Sequence, residues 1–235
     1  MNYSNKYIII YSSVMVVTVA ILLTFVAIGL KPQQEYNRRV EKMQNILSSV
    51  HINTTTKNAE DLFKKYIIKQ IVIDSKGNEQ KNIVAFDVNV EKQIHLPQEK
   101  RLLPIFICKT DNNEIKYIIP VYGKGLWGPI WGYVALNDDK NTVFGVFFDH
   151  KSETPGLGAE IATLEFQKQF VNKKLFDENG NFVSIKTIKG GAPKNDEHGV
   201  DAISGGTITS DGLTKMLFET IKPYENFLKN KNIEL

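Results

Sequence analysis

The sequence predicts an α+β protein: a single N-terminal transmembrane helix followed by a soluble mixed α/β domain. Three observations carry that expectation. From Tyr7 to Leu30 the chain is almost wholly apolar and carries no charge, long enough to cross a bilayer as one helix. After Pro32 it turns polar and rich in lysine and arginine, and the remaining stretch of about 200 residues is ample for one compact core. That stretch mixes segments of helical period with strand-like runs, four of which pair off across short polar turns. The chain therefore divides into a short tail over 1–6, the membrane helix over 7–30, a polar linker and helix over 31–58, and the domain over 59–235.

The apolar run exceeds the core of a signal peptide, and no clean Ala-x-Ala site follows it, so it reads as a retained anchor in membrane lipid. Tyr36 to Val50 places Val40, Met43, Ile46 and Leu47 on one face of a helix leaving the membrane. Ala59 to Ile67 predicts a second helix, followed by a strand over Ile71 to Asp74 and a turn at Ser75-Lys-Gly-Asn78. Further strands are expected over Val84 to Val90, Leu103 to Lys109 and Ile115 to Tyr122, the last two forming a hairpin across Asp111-Asn-Asn-Glu114. A second hairpin pairs Trp131 to Leu136 with Thr142 to Phe148, and a helix is expected over Glu160 to Asn172. Leu213, Met216, Leu217, Thr220 and Ile221 then recur at helical spacing, with Ser210 or Asp211 placed to cap a helix that runs toward Pro223.

Composition excludes several functions. The net charge is only +3 and the basic residues are scattered, so no nucleic-acid partner is expected. Cys108 is the only cysteine, which rules out an intrachain disulfide and suits a small core residue. His51, His95 and His198 lack metal-ligand spacing, so no metal site is inferred. There is no Gly-x-Gly-x-x-Gly fingerprint, and the single span holds no acid that could form an ion path.

Three segments carry the chemistry. Asp201-Ala-Ile-Ser-Gly-Gly-Thr-Ile-Thr-Ser-Asp211 sets two glycines before a threonine hydroxyl, at the approach to a helix whose N-terminal dipole favours phosphate. The same composition also suits an ordinary turn and cap. Gly123-Lys-Gly-Leu-Trp-Gly-Pro-Ile-Trp-Gly-Tyr133 is a turn-rich entry to a strand. Its Trp127 offers a flat apolar wall for a ring system, and Trp131 is expected to plug the core. Glu153-Thr-Pro-Gly-Leu-Gly158 forms a rigid Pro-Gly loop that presents Thr154 and Leu157. Glu153 is expected to order its own loop through backbone N–H groups rather than to pair with His150 as an acid and base.

These segments and their order resemble the FMN-binding domain family, and in particular the NqrC proteins of the Na+-translocating NADH:quinone oxidoreductases. Where that family usually has alanine before the threonine, this chain has Gly206. The resemblance implies an FMN-binding α/β domain with FMN esterified through its phosphate to Thr207. Thr209 and Thr214 are the competing hydroxyls in this sequence. Ser204, Gly205 and Gly206 form the acceptor turn, and Thr154, Leu157, Gly158 and Trp127 become flavin contacts. Asp201 is placed to help a flavin transferase recognise the site. The resemblance further implies single-electron relay within a complex whose other members are the A, B, D, E and F proteins, in a bacterial inner membrane, with the domain on the periplasmic side. The cluster Lys31, Arg38, Arg39 and Lys42 after the span argues for the cytoplasmic side by the positive-inside rule, so sequence and resemblance conflict on orientation. Two alternatives stay open. One is the G protein of the related Rnf electron-transport complex, which shares the anchor, the Glu-Thr-Pro-Gly-Leu-Gly loop and the threonine motif. The other is a membrane-anchored scaffold domain that carries no flavin.

Overall fold

The structure, a computed structural model, describes residues 4–230; the ends of the expected tail (1–3) and domain (231–235) lie outside the described residues. Helix α1 runs unbroken over Asn5–Ser48, so the expected membrane helix and the helix after it are one element with Pro32 inside it. Compact packing separates two units, residues 1–42 and 43–235. In the first, the apolar window is long enough to cross a membrane and none of it is buried. Its two threonine hydroxyls are satisfied within the helix: Thr18 Oγ1 donates to the Val14 carbonyl (2.8 Å) and Thr24 Oγ1 to that of Ala20 (2.7 Å). Bonding of this kind lets hydroxyls sit in hydrocarbon.

The second unit is built on a five-stranded antiparallel sheet with its strands in sequence order: β1 (Ile67–Ile73), β2 (Leu103–Lys109), β3 (Ile115–Lys124), β4 (Pro129–Leu136) and β5 (Val143–His150). β2 is buried on both faces, and the two-residue period of a strand sorts its side chains. Leu103, Ile105 and Ile107 join one core cluster with Phe148, Phe170, Leu213, Leu217 and Phe227. Phe106 and Cys108 face the other cluster, with Ile46, Leu47, Phe63, Phe86 and Tyr133. Helix α2 (Ala59–Tyr66) supplies Phe63, whose ring meets those of Phe86 and Phe106 edge-on. Ile46 and Leu47 are fully buried, and this folded unit starts at Met43, inside the stretch over 31–58 that the sequence reads as a polar linker and helix. Cys108 is buried in this layer, and burial pushes its thiol up to about 12.

Two expected elements differ. Val84 to Val90 is not a strand: a short 3₁₀ turn occupies Ala85–Asp87, and helix α3 covers Val90–Ile94. Asn89 caps that helix, its side chain accepting from Lys92 N (3.0 Å), and Glu-Lys-Gln then follow as good helix formers. The helix expected over Glu160 to Asn172 is a 3₁₀ turn at Gly158–Ala162 and a short α4 (Leu164–Lys168). Between them Thr163 restarts the chain by capping Phe166 N. The parallel pair β6 (Lys186–Ile188) and β7 (Gly199–Asp201) leads into α5 (Thr207–Ile221) and α6 (Glu225–Lys229).

Strand β1 ends where Asp74 closes its turn, Oδ1 accepting from the backbone N–H groups of Lys76 and Asn78 (both 2.9 Å). Asp177 closes Asp177-Glu-Asn-Gly-Asn181 in the same way. The bond from Asn78 N holds the Asp74 carboxyl below its usual range. A carboxylate depressed in the folded state stabilises above its unfolded value of about 3.9 and loses that contribution as pH falls through the lower folded value. Asp74→Asn is therefore expected to be modestly less stable than the parent near neutrality, with the gap closing as pH drops below about 4, in urea titrations across pH.

Candidate functional site

The site is assembled where α5 meets the open end of the sheet. Helix α5 starts at Thr207 rather than near Ser210, with Gly206 at its N-cap and no side-chain cap. Ser210 is instead buried in the first turns: its Oγ accepts from Ile203 N (3.0 Å), which folds the preceding loop back on the helix. The first helical N–H groups have no acceptor within the helix, and the first turn carries no acidic residue, so an anion is favoured there. Gly205 takes φ +73°, the left-handed region, and a Cβ there would lie 2.7 Å from Leu157 Cδ2. A Cβ on Gly206 would come 2.9 Å from Ile203 Cγ2, so glycine makes room for this isoleucine where an alanine would force it aside.

A cleft of about 220 Å³ is lined by Leu126, Trp127, Glu153, Thr154, Leu157 and Gly158 on one side and by Gly205 to Thr209 on the other. Seven residues singled out from sequence thus converge: Trp127, Thr154, Leu157, Gly158, Gly205, Gly206 and Thr207. Two do not line the cleft. Ser204 sits exposed in the turn, and Asp201 at the end of β7 accepts from Ala192 N (2.7 Å), holding the Gly190-Gly191-Ala192 loop. Trp131 is half-buried on β4, opposite Tyr122 and Asp149, and does not fill the core.

The hydroxyls of the motif have different fates. Thr207 is exposed at the cleft. Thr209 is 1% exposed, and its Oγ1 donates to Glu153 Oε2 (2.6 Å). Thr214 Oγ1 accepts from Thr187 N (2.9 Å) and lies 2.9 Å from Thr187 Oγ1.

Glu153 does not order its own loop as expected. That loop is held by Glu160, whose Oε1 accepts from Gly156 N (3.0 Å), and by turn bonds to the Thr154 carbonyl from Leu157 N (3.1 Å) and Ala159 N (3.2 Å). The Glu153 oxygens reach outward, Oε1 accepting from Trp127 N (2.8 Å) and Oε2 from Thr209, while Glu153 N donates to His150 Nδ1 (3.2 Å). Sequence reasoning also passed over Leu126 and Ile208, 45% and 57% exposed, which extend the apolar rim set by Trp127 (66%) and Leu157 (41%). Large apolar side chains beside the glycine turns were the available signal. A larger groove of about 650 Å³ adjoins the cleft across Ile208, between α5 and the α3 region. In it the Tyr122 hydroxyl donates to Glu91 Oε1 (2.7 Å), and burial together with that bond pushes the phenol up to about 12. Among the described residues no group of three or more His, Cys, Asp or Glu could hold a metal ion.

A helix long and apolar enough to cross a membrane precedes an α/β domain, and within that domain the FMN-binding domain family matches residues 125–222, which makes FMN-binding domains the class of protein to which the fold points. The C-subunit of the Na(+)-translocating NADH-quinone reductase of Vibrio vulnificus (strain YJ016) is 35% identical over 209 residues, covering 83% of this chain and 82% of that protein. Its counterpart in Haemophilus ducreyi is 32% identical over 219 residues, covering 83% and 84%. The crystal structure of the C-subunit from Parabacteroides distasonis superposes with a TM-score of 0.79 at 36% identity, covering 86% of this chain and 98% of that one. That of Shewanella oneidensis NqrC gives 0.69 at 28% identity, covering 82% and 99%. The chain belongs to the NqrC family, the C-subunits of the Na(+)-translocating NADH-quinone reductases.

Proposed function

We propose that this chain is the electron-relaying NqrC component of a Na+-translocating NADH:quinone oxidoreductase and carries FMN on Thr207 through a phosphoester. The observation that supports the reading best is the exposure of the Thr207 hydroxyl at the first position of α5, inside the cleft, while its competitors Thr209 and Thr214 are engaged elsewhere. The residues present suit the group. Gly205 and Gly206 let a phosphate approach the backbone, the first N–H groups of α5 receive its charge, and Leu126, Trp127, Leu157 and Ile208 provide apolar surface for a flat ring. Thr154 offers a hydroxyl on the facing loop.

When bound, FMN supplies the reversible electron chemistry. The chain's own residues hold it by an ester that does not dissociate, exclude water from part of its surface and leave an edge open toward a partner. The A, B, D, E and F proteins of the complex are the partners we assign, with a flavin transferase for maturation and Asp201 as part of the segment that enzyme reads. We place the domain on the periplasmic side of the bacterial inner membrane, with α1 as its single anchor. The test is to co-express the full chain with a flavin transferase and read flavin fluorescence on a denaturing gel. A fluorescent band at the chain's mass is the expected result, and a dark band in a host that flavinylates a control acceptor overturns the reading in favour of a scaffold without flavin.

A further inference from the structure

The most deeply buried acid of the site bonds across the cleft, and the proposed attachment assigns it no part. Glu153 is 5% exposed and lines the cleft beside Thr207. Both of its oxygens accept, one from Trp127 N (2.8 Å) and one from Thr209 Oγ1 (2.6 Å), and no described cation pairs with it. Space has been cleared on either side of it. A Cβ on Gly125 would lie 2.6 Å from Oε1, and one on Gly158 would collide with both Oε2 and Thr209 Oγ1. A neutral amide could accept from Trp127 N and donate to Thr209 Oγ1 without the cost of burying a charge, so the carboxylate calls for a reason beyond cross-linking.

We propose that Glu153 is the positioning carboxylate of the site: it locks the Trp127 loop to the first turn of α5, and its fixed negative charge beside Thr207 holds down the reduction potential of the flavin carried there. The second half rests on the reading that Thr207 carries the flavin. Through Thr209, two residues beyond Thr207, the carboxylate sets the start of α5; through Trp127 N it sets the position of the indole on the opposite wall. Both bonds hold parts of the chain that lie far apart in sequence, so one side chain fixes the width of the cleft. In a buried, low-dielectric position its charge is felt strongly by any group that gains electrons nearby, and it opposes that gain.

Glu153→Gln and Glu153→Ala separate the two effects. Glutamine keeps an acceptor for Trp127 N and places its amide against Thr209 Oγ1, so this variant keeps the lock and loses only the charge. In the full chain without flavin, hydrogen exchange at the Trp127 amide should stay slow in wild type and Glu153→Gln, and speed up by about tenfold or more in Glu153→Ala. In the flavinylated chain, the midpoint potential of Glu153→Gln should lie above that of wild type at equal flavin content. An unchanged potential in fully flavinylated Glu153→Gln, or undiminished protection of Trp127 in Glu153→Ala, overturns the proposal. Failure of the attachment reading shows itself separately, as a wild-type chain of unmodified mass, and the amide measurement then still decides whether Glu153 is the lock.

Discussion

Thr207→Ala is expected to give a folded protein that carries no covalent flavin. The side chain is exposed, and alanine is well tolerated in the first turn of a helix, so stability should stay within about 0.5 kcal/mol of wild type. The fall in flavin content should be complete, because the competing threonines are engaged and the exposed Ser204 lies off the cleft: Thr209 faces Glu153 in the interior and Thr214 is bonded to Thr187. Thr209→Ala makes the opposite prediction. It leaves a Glu153 oxygen without its hydroxyl donor, at a cost of about 1–3 kcal/mol, and it keeps the flavin. Flavin-to-protein ratios after denaturing gel filtration, with urea midpoints for the same two variants, would give this crossed pattern. Loss of flavin in Thr209→Ala with retention in Thr207→Ala would reverse the assignment.

The largest stability effect is expected in the layer that supports the cleft from below. Phe148, fully buried on β5, meets the Phe170 ring edge-on at 5.1 Å, and its carbonyl accepts from Gln167 Nε2 (3.0 Å). Gln167 also donates to the Ile161 carbonyl (3.2 Å), which ties β5 and α4 to the 3₁₀ turn that begins at Gly158. Phe148→Ala removes the ring from a closed cluster whose neighbours are themselves fully buried, so it is expected to cost about 3–5 kcal/mol, read as a drop in the urea midpoint at unchanged slope. The Gln167 bonds run to main-chain carbonyls and survive the substitution, so flavin loading in that variant should fall only as far as the loosened cluster lets Ile161 and its 3₁₀ turn shift. A loss below about 1 kcal/mol would mean that the cluster repacks and that the turn is held by its own loop bonds alone.

The strands and hairpins could be read from the sequence because their signals are local. The continuous apolar run over Leu103 to Cys108, and polar turns at Asp111 to Glu114 and Asn137 to Asn141, needed no distant partner to be recognised. Val84 to Val90 misled because β-branched residues at both ends outweighed Asn89, whose capping role was the better clue. The first turn of α5 was placed too late for a related reason. Gly205, Gly206 and Thr207 read as loop residues, and the bond from Ile203 N to Ser210 Oγ, seven residues on, folds the loop back so that the helix begins directly on them. Residues that converge on the cleft were largely picked out by the resemblance of three short segments, whereas the bonds between those segments were not visible. Glu153 connects Trp127 to Thr209 across sequence separations that no spacing rule reaches, and its glycine neighbours Gly125 and Gly158 explain themselves only once the carboxylate is seen between them.

The central claim, that this family member carries its flavin on one particular hydroxyl, is tested most directly by peptide mass spectrometry of the wild-type chain after expression with a flavin transferase. Fragment ions that place one FMN phosphoester on Thr207, within the peptide spanning Asp201 to Asp211, are the predicted result. An adduct on Ser204, Thr209 or Thr214, or an unmodified peptide from a host that flavinylates a control acceptor, would contradict it.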